Sequence, residues 1–190
     1  MTLLEMRDAT FARAGETIVM PLTVSLVAGA RAARTFANAR EAATVALMAA
    51  GIVKATTGRI FIGEFDPRIQ PVQVKRIVGY VPHEAVPHEF ATFAAYIDYR
   101  AKLWGLEREP SLARATRLLA ALDGVHEAFA YPLVGAMLAH PALLVLDRPQ
   151  AAYAPQIMAV ANSSAVFSTH VSAREAELFA ASRARESVPL

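Results

Sequence analysis

Three groups of side chains in this 190-residue sequence have types that could do chemistry. Ser163, Ser164 and Ser168 lie just ahead of His170, which are the residue types of a hydrolytic nucleophile and its base. The stretch has no nucleophile elbow and brings no paired acid, so a hydrolase triad is not expected. His83-Glu84 and His88-Glu89 share one segment with Pro82 and Pro87. A zinc-dependent hydrolase needs H-E-x-x-H, which puts both imidazoles on one helix face. The spacing here does not do that, so the segment reads as a surface loop and no metal is expected. With no cysteine, thiolate metal sites, disulfides and a cysteine nucleophile are excluded. What remains is positive charge: Arg34, Arg40 and Arg148 could serve an anionic ligand.

The elements that would position these residues follow from apolar patterning. Two strands, 3–11 and 18–27, are joined by a turn at Ala14-Gly15-Glu16. A strand over 31–35, a loop over 36–43 and the body of a helix over 44–50 come next. A short strand spans 58–63, a short helix or turn 70–76, and an apolar strand 77–81. Phe93, Ile97, Ala101 and Leu103 fall at helical spacing, with Gly105 as the stop. Pro110 opens a second helix over 111–122. Leu143 to Asp147 is continuously apolar until its last residue, the pattern of a strand buried on both faces of a parallel sheet. A short helix follows Pro155, then a strand ending at His170, then an amphipathic helix over 172–185.

Composition narrows the function classes. The hydrophobic fraction is 55% and mean hydropathy is +0.32, yet no apolar run reaches the ~18 residues needed to cross a bilayer. The surplus apolar surface is therefore expected in a protein interface. The first residues carry acids early and lack the n-region and h-region of a leader, so they read as a cytosolic strand. Net charge is +2, and the 19 Lys and Arg are scattered, with local clusters such as Arg183 and Arg185. A nucleic-acid binder would show a denser basic stripe or an aromatic platform, so no nucleic acid is expected.

Several segments, taken in order, carry a resemblance. They are "AGARAARTFANAREAATVALMAAGIVKATTG", "TTGRIFIG", "VGYVPH", "TFAAYIDYRAKLWGL", "LLVLDRP" and "VFSTH". Together they resemble the ATP-binding domains of ABC transporters, the helical segment being most similar to those serving ABC-2-type exporters. The resemblance implies an α/β fold with a P-loop NTPase-like core. That core is a mostly parallel sheet flanked by helices, with antiparallel N-terminal strands and a shortened helical subdomain. It implies one domain, with 1–82 and 141–190 as core and 83–140 as the helical part.

The same resemblance implies where a nucleotide site would lie. The family's phosphate loop, G-x-x-x-x-G-K-[ST], places its first glycine at Phe36, its second at Glu41, its lysine at Ala42 and its hydroxyl at Ala43. Asn38 and Thr44 complete that stretch. The adenine-stacking aromatic falls at Arg13, the Q-loop glutamine at His83, the magnesium-ordering aspartate at Asp147, the catalytic glutamate at Arg148, the D-loop aspartate at Ala154 and the switch histidine at His170. The signature L-S-G-G-Q is missing between Gly124 and Leu133. Phosphate loops need glycine for positive φ and close backbone approach. Ala42 has no charge for phosphate, and Glu41 puts a carboxylate at the helix end where the anion belongs. Arg148 cannot act as a base near neutral pH.

The implied protein is an ATPase-like subunit with no catalytic residue, no cofactor and no metal. It would dock a transmembrane partner through the segment around Pro82 to Phe93, on the cytoplasmic face of a membrane, with a second ATPase-like subunit as a further candidate partner. The alternative is a regulatory subunit that binds a nucleotide or another anionic ligand without hydrolysis.

Overall fold

The structure, a computed structural model, describes residues 1–83, 90 and 92–182. Strand β1 (Thr2–Arg13) and strand β2 (Glu16–Val27) form an antiparallel hairpin. Ala14 and Gly15 both have positive φ, 51° and 82°, in the two-residue connection. Positive φ at both central positions suits the twist of flanking strands, so the hairpin runs to its tip and both strands exceed their expected lengths. β4 (Thr57–Ile62) pairs with the other edge of β1, giving the order β2-β1-β4.

The second sheet is parallel, with the order β3-β7-β6-β5. It is built from β3 (Arg31–Thr35), β5 (Val78–Val81), β6 (Leu143–Asp147) and β7 (Ala165–His170). Every residue of the two central strands, β6 and β7, is buried. This is the reason for the apolar runs Leu143–Leu146 and Ala165–Phe167, both faces being covered, with polar residues only towards the C-terminal ends.

Helix α1 (Ala39–Ala49) lies between the two sheets. Its Val45, Ala46, Met48 and Ala49 are fully buried among Leu4, Met6, Val145 and Phe167. Small residues at most of these positions let the helix approach both sheets. The helix begins at Ala39, so residues 39–43 are its first turn and not loop. Asn38 is extended, with φ −155° and ψ 169°, and caps the helix.

A second core covers the other face of the parallel sheet. It is made with α3 (Phe93–Trp104), α4 (Arg108–Ala121), α5 (Glu127–Met137) and α6 (Ala154–Val160). Helix α2 (Pro71–Ile77) leads directly into β5, which shortens that strand by one residue from its expected start. Gly105, with φ 64°, ends α3 as expected. Helix α4 starts at Arg108, ahead of the expected 111, with Pro110 inside its first turn, where a missing N–H costs nothing.

Helix α5 contains Pro132, and its last turn is held by two arginines. Arg100 donates to the Gly135 carbonyl and Arg114 to the Met137 carbonyl, each at 3.2 Å. A Cβ at Gly135 would collide with the Tyr96 hydroxyl, so α3 and α5 can meet there only at a glycine. Helix α7 (Ala173–Ala181) packs on β3 and β7. The helix expected over 172–185 ends at Ala181, since Ser182 is extended with φ −68° and ψ 125°; residues 183–185 lie outside the described residues.

Candidate functional site

Strand register sets the site. Thr35 pairs with His170, and Asp147 pairs with Thr169. The C-terminal ends of the parallel strands therefore share one edge, which is where open α/β sheets place ligands. Phe36 continues from β3, and its N–H donates to the His170 carbonyl at 2.8 Å. Its half-buried ring packs against the core between the sheets.

The N-terminus of α1 is closed by its own side chains. Asn38 Oδ1 accepts the Glu41 N–H at 2.9 Å, and Glu41 Oε2 accepts the Ala37 N–H at 2.9 Å. This is a reciprocal cap, with a carboxylate at the positive end of the helix dipole. Ala42 is fully buried and Ala43 half-buried. Thr44 Oγ1 donates to the Arg40 carbonyl at 2.7 Å. The Arg40 guanidinium reaches Glu16 at 2.8 and 2.9 Å, away from the helix end. Arg34 is exposed on β3.

At the end of β6, Asp147 is 3% exposed. Its carboxylate accepts Arg148 Nε at 2.9 Å, Arg148 Nη2 at 3.1 Å and Thr169 Oγ1 at 3.3 Å. Arg148 has φ 47°, a left-handed backbone, and its N–H donates to the Thr169 carbonyl at 3.0 Å. The reversal folds the guanidinium back onto the neighbouring carboxylate in a two-pronged pair, a geometry only arginine offers. Burial and the nearby Asp147 charge push the Tyr80 hydroxyl up to about 12.

His83 lies just past β5, its Nδ1 3.0 Å from the Arg148 carbonyl. His170 is fully buried, with Nε2 2.9 Å from Ser168 Oγ and its ring 5.4 Å from that of Phe179. Its Nδ1 has no hydrogen-bond partner among the described residues. Burial lowers its pKa, against a weaker opposing pull from Glu175, so the neutral ring is favoured. Ser168 is fully buried too, which leaves this serine–histidine pair no access to a substrate.

The structure thus gathers the sequence candidates into two groups. Phe36, Asn38, Glu41, Ala42, Ala43 and Thr44 surround the start of α1, tied to His170 by one backbone bond. His83, Asp147 and Arg148 join at the ends of β5 and β6. Beside the second group opens a cleft of about 200 Å³ lined by His83, His126, Phe129, Arg148, Gln150 and Tyr153. Sequence reasoning missed His126, Gln150 and Tyr153. The one available signal was His126 at a helix start, since the three share no motif. Glu84, His88 and Glu89 lie outside the described residues. Among those described, no three His, Asp or Glu side chains cluster to hold a metal ion.

No protein-family model matches the sequence. Solved structures do match the fold. The ATP-binding subunit of an ABC transporter aligns over 90% of this chain and 80% of its own, with TM-score 0.73 and 20% identity. The cbiO1 protein of Clostridium perfringens, part of the ABC transporter complex cbiONQ, aligns over 89% and 78%, with TM-score 0.70 and 16% identity. A dimeric bacterial ABC transporter cassette aligns over 93% and 91%, with TM-score 0.73 and 13% identity. The chain is an α/β protein. Within that class, its fold is that of the ATP-binding domain of ABC transporters. Among the described residues no helix is long and apolar enough to cross a membrane.

Proposed function

We propose that this chain is a catalytically inactive ABC-ATPase-like subunit that holds a structural position in a membrane-associated complex. The observation that carries this reading is the closed end of α1. Two of the backbone amides there are already bonded to Asn38 and Glu41, and Ala42 and Ala43 bring neither charge nor hydroxyl. Arg148 adds to it, because it stands at the family's catalytic-base position and is paired with Asp147. Each charge-assisted phosphate contact contributes ~1.5–3 kcal/mol, so losing several takes an affinity from micromolar past millimolar.

The subunit would bind a transmembrane partner on the cytoplasmic face, with a second ATPase-like subunit as a further candidate partner. The docking segment around Pro82 to Phe93 lies mostly outside the described residues. On the helix that follows it, Tyr99 and Leu103 are 46% and 59% exposed, apolar surface suited to a partner. The flavour of an ABC-2-type exporter subunit belongs to the same proposal, resting on the resemblance of the α3 segment. Calorimetric titration with Mg-ATP tests the reading: no saturation is expected below about 1 mM. Saturable binding in the low micromolar range would overturn it.

A second reading, a regulatory subunit binding an anion without hydrolysis, is supported by the polar cleft beside Arg148.

A further inference from the structure

Each sheet has two edges, and among the described residues three of the four are blunted. β5 is largely buried, and a Cβ at its Gly79 would lie 3.0 Å from the Ala136 carbonyl oxygen of α5. β2 contains Pro21 and pairs with β1 through several register shifts, devices that keep an edge from accepting another strand. β4 holds Gly58 at φ 77° and turns back at its end, where Ile62 bridges to Phe65. β3 has none of these features. It keeps one register with β7, from Arg31 opposite Val166 to Thr35 opposite His170. It contains no proline or glycine, and Arg31, Arg34 and Thr35 are exposed.

The bonds to β7 identify the backbone groups that remain. The Val166 N–H donates to the Ala30 carbonyl at 3.0 Å, and the Phe36 N–H donates to the His170 carbonyl at 2.8 Å. Bonds between parallel strands are evenly spaced and fall on alternate residues. Residues 30, 32, 34 and 36 therefore face β7. Arg31, Ala33 and Thr35 turn their N–H and C=O groups to the open edge.

Side chains add a charge pattern. Ala33 packs against the core that includes Phe179 of α7, and Ala32 against the core around α1. Alternation then puts Arg31 and Arg34 on opposite faces of the sheet. β3 has no acid, and neither guanidinium has a carboxylate partner among the described residues. Arg31 meets the Ser182 carbonyl at 3.5 Å.

We propose that the β3 edge accepts an extended segment of a partner protein as a fifth strand, and that this segment carries two acidic residues three positions apart. Backbone pairing with Arg31, Ala33 and Thr35 supplies the affinity, as in other strand additions. Carboxylates opposite Arg31 and Arg34 fall at i and i+3 whichever way the segment runs, one on each face. A second copy of this chain is a poor occupant, because pairing β3 with β3 gathers four arginines along one seam. The chain's own residues 183–190 match poorly too, with Arg183 and Arg185 against one acid, Glu186. This contact goes beyond the proposed function and does not depend on whether the chain binds ATP.

The test is amide hydrogen exchange by NMR on the whole chain, alone and with the blocked peptide Thr-Glu-Val-Val-Glu-Thr at millimolar concentration. In the free chain the amides of Arg31, Ala33 and Thr35 are expected to exchange fast, and those of Ala32 and Arg34 slowly. Saturating peptide should slow the first three by about tenfold or more and leave the other two unchanged. A peptide with Lys in place of Glu should not bind. The double variant Arg31→Glu with Arg34→Glu, at two exposed positions, should reverse that preference. No saturable slowing, slowing without the odd–even alternation, or equal binding of the lysine peptide would each overturn the proposal. So would protection of 31, 33 and 35 in the free chain that disappears on dilution, the mark of a second copy. Protection that disappears on removal of residues 183–190, the mark of the chain's own tail, would overturn it as well.

Discussion

The start of α1 and the cleft beside Arg148 lie along the same edge of the parallel sheet, and they treat polar groups in opposite ways. At α1, Asn38 and Glu41 answer backbone amides, Thr44 answers a backbone carbonyl and Arg40 answers Glu16. At the cleft, His83 and His126 each spend one ring nitrogen on the backbone and turn toward an open volume. The difference teaches that shared topology fixes where a site can be, while local hydrogen-bond satisfaction decides whether anything is left to bind a ligand.

The sharpest way to break that contrast is to restore the family's lysine. Ala42→Lys puts an ammonium at a fully buried position between two sheets, where an unpaired charge costs at least about 3 kcal/mol. A large drop in the urea midpoint is expected, and no gain of phosphate release even when combined with Arg148→Glu. Phosphate release above background from that pair would erase the contrast.

Next in size is Arg148→Ala. It leaves Asp147 buried with only Thr169 from the set described above, and removal of one partner from such a pair costs about 3 kcal/mol. Equilibrium unfolding measures it. A loss below about 1 kcal/mol would mean that the pair behaves as a surface ion pair.

Glu41→Gln is a milder probe, since the amide keeps an acceptor for Ala37 but loses the charge at the helix end. It should cost about 0.5–1 kcal/mol. Unchanged stability would show that the carboxylate is not engaged with the helix.

The smallest effect is on pH dependence. The pKa of buried His170 is lowered from its ordinary 6.5. The unfolded chain then binds more protons just below that value, so stability is full above it and falls as pH drops toward the folded pKa. His140, also lowered by burial, acts in the same direction. His170→Asn should flatten the fall in urea midpoint between about pH 7 and pH 5, and an unchanged slope would show that His170 is not the group responsible.

Much of the fold was legible because burial on both faces writes itself directly into sequence. The runs Leu143–Leu146 and Ala165–Phe167 are wholly apolar, the polar residues coming only at the strand ends, and Gly105 stops α3 where it should. The start of α1 was less legible. Ala39-Arg40-Glu41-Ala42-Ala43 consists of strong helix formers behind an Asn-x-x-Glu cap, and the expected loop there came from the family's layout. The cleft was hidden for a different reason. His83, His126, Gln150 and Tyr153 come from separate elements, and only tertiary packing brings them together. The backbone reversal at Arg148, which folds its guanidinium onto Asp147, leaves no mark in the sequence because arginine is not a residue that favours positive φ.

The placement of β3 has a consequence for how the molecule is made. Among the described residues this strand sits at the sheet edge with β7 as its only strand neighbour, and β7 is translated long afterwards. The β1–β2 hairpin can zip locally as it leaves the ribosome, but β3 and the apolar side of α1 must wait for a distant segment. Contacts that close such long loops are slow to form and leave unpaired strand edges exposed meanwhile. A nascent chain halted before Ala165 should accordingly present a protease-sensitive β3–α1 segment and bind a chaperone, and should lose both properties once β7 emerges.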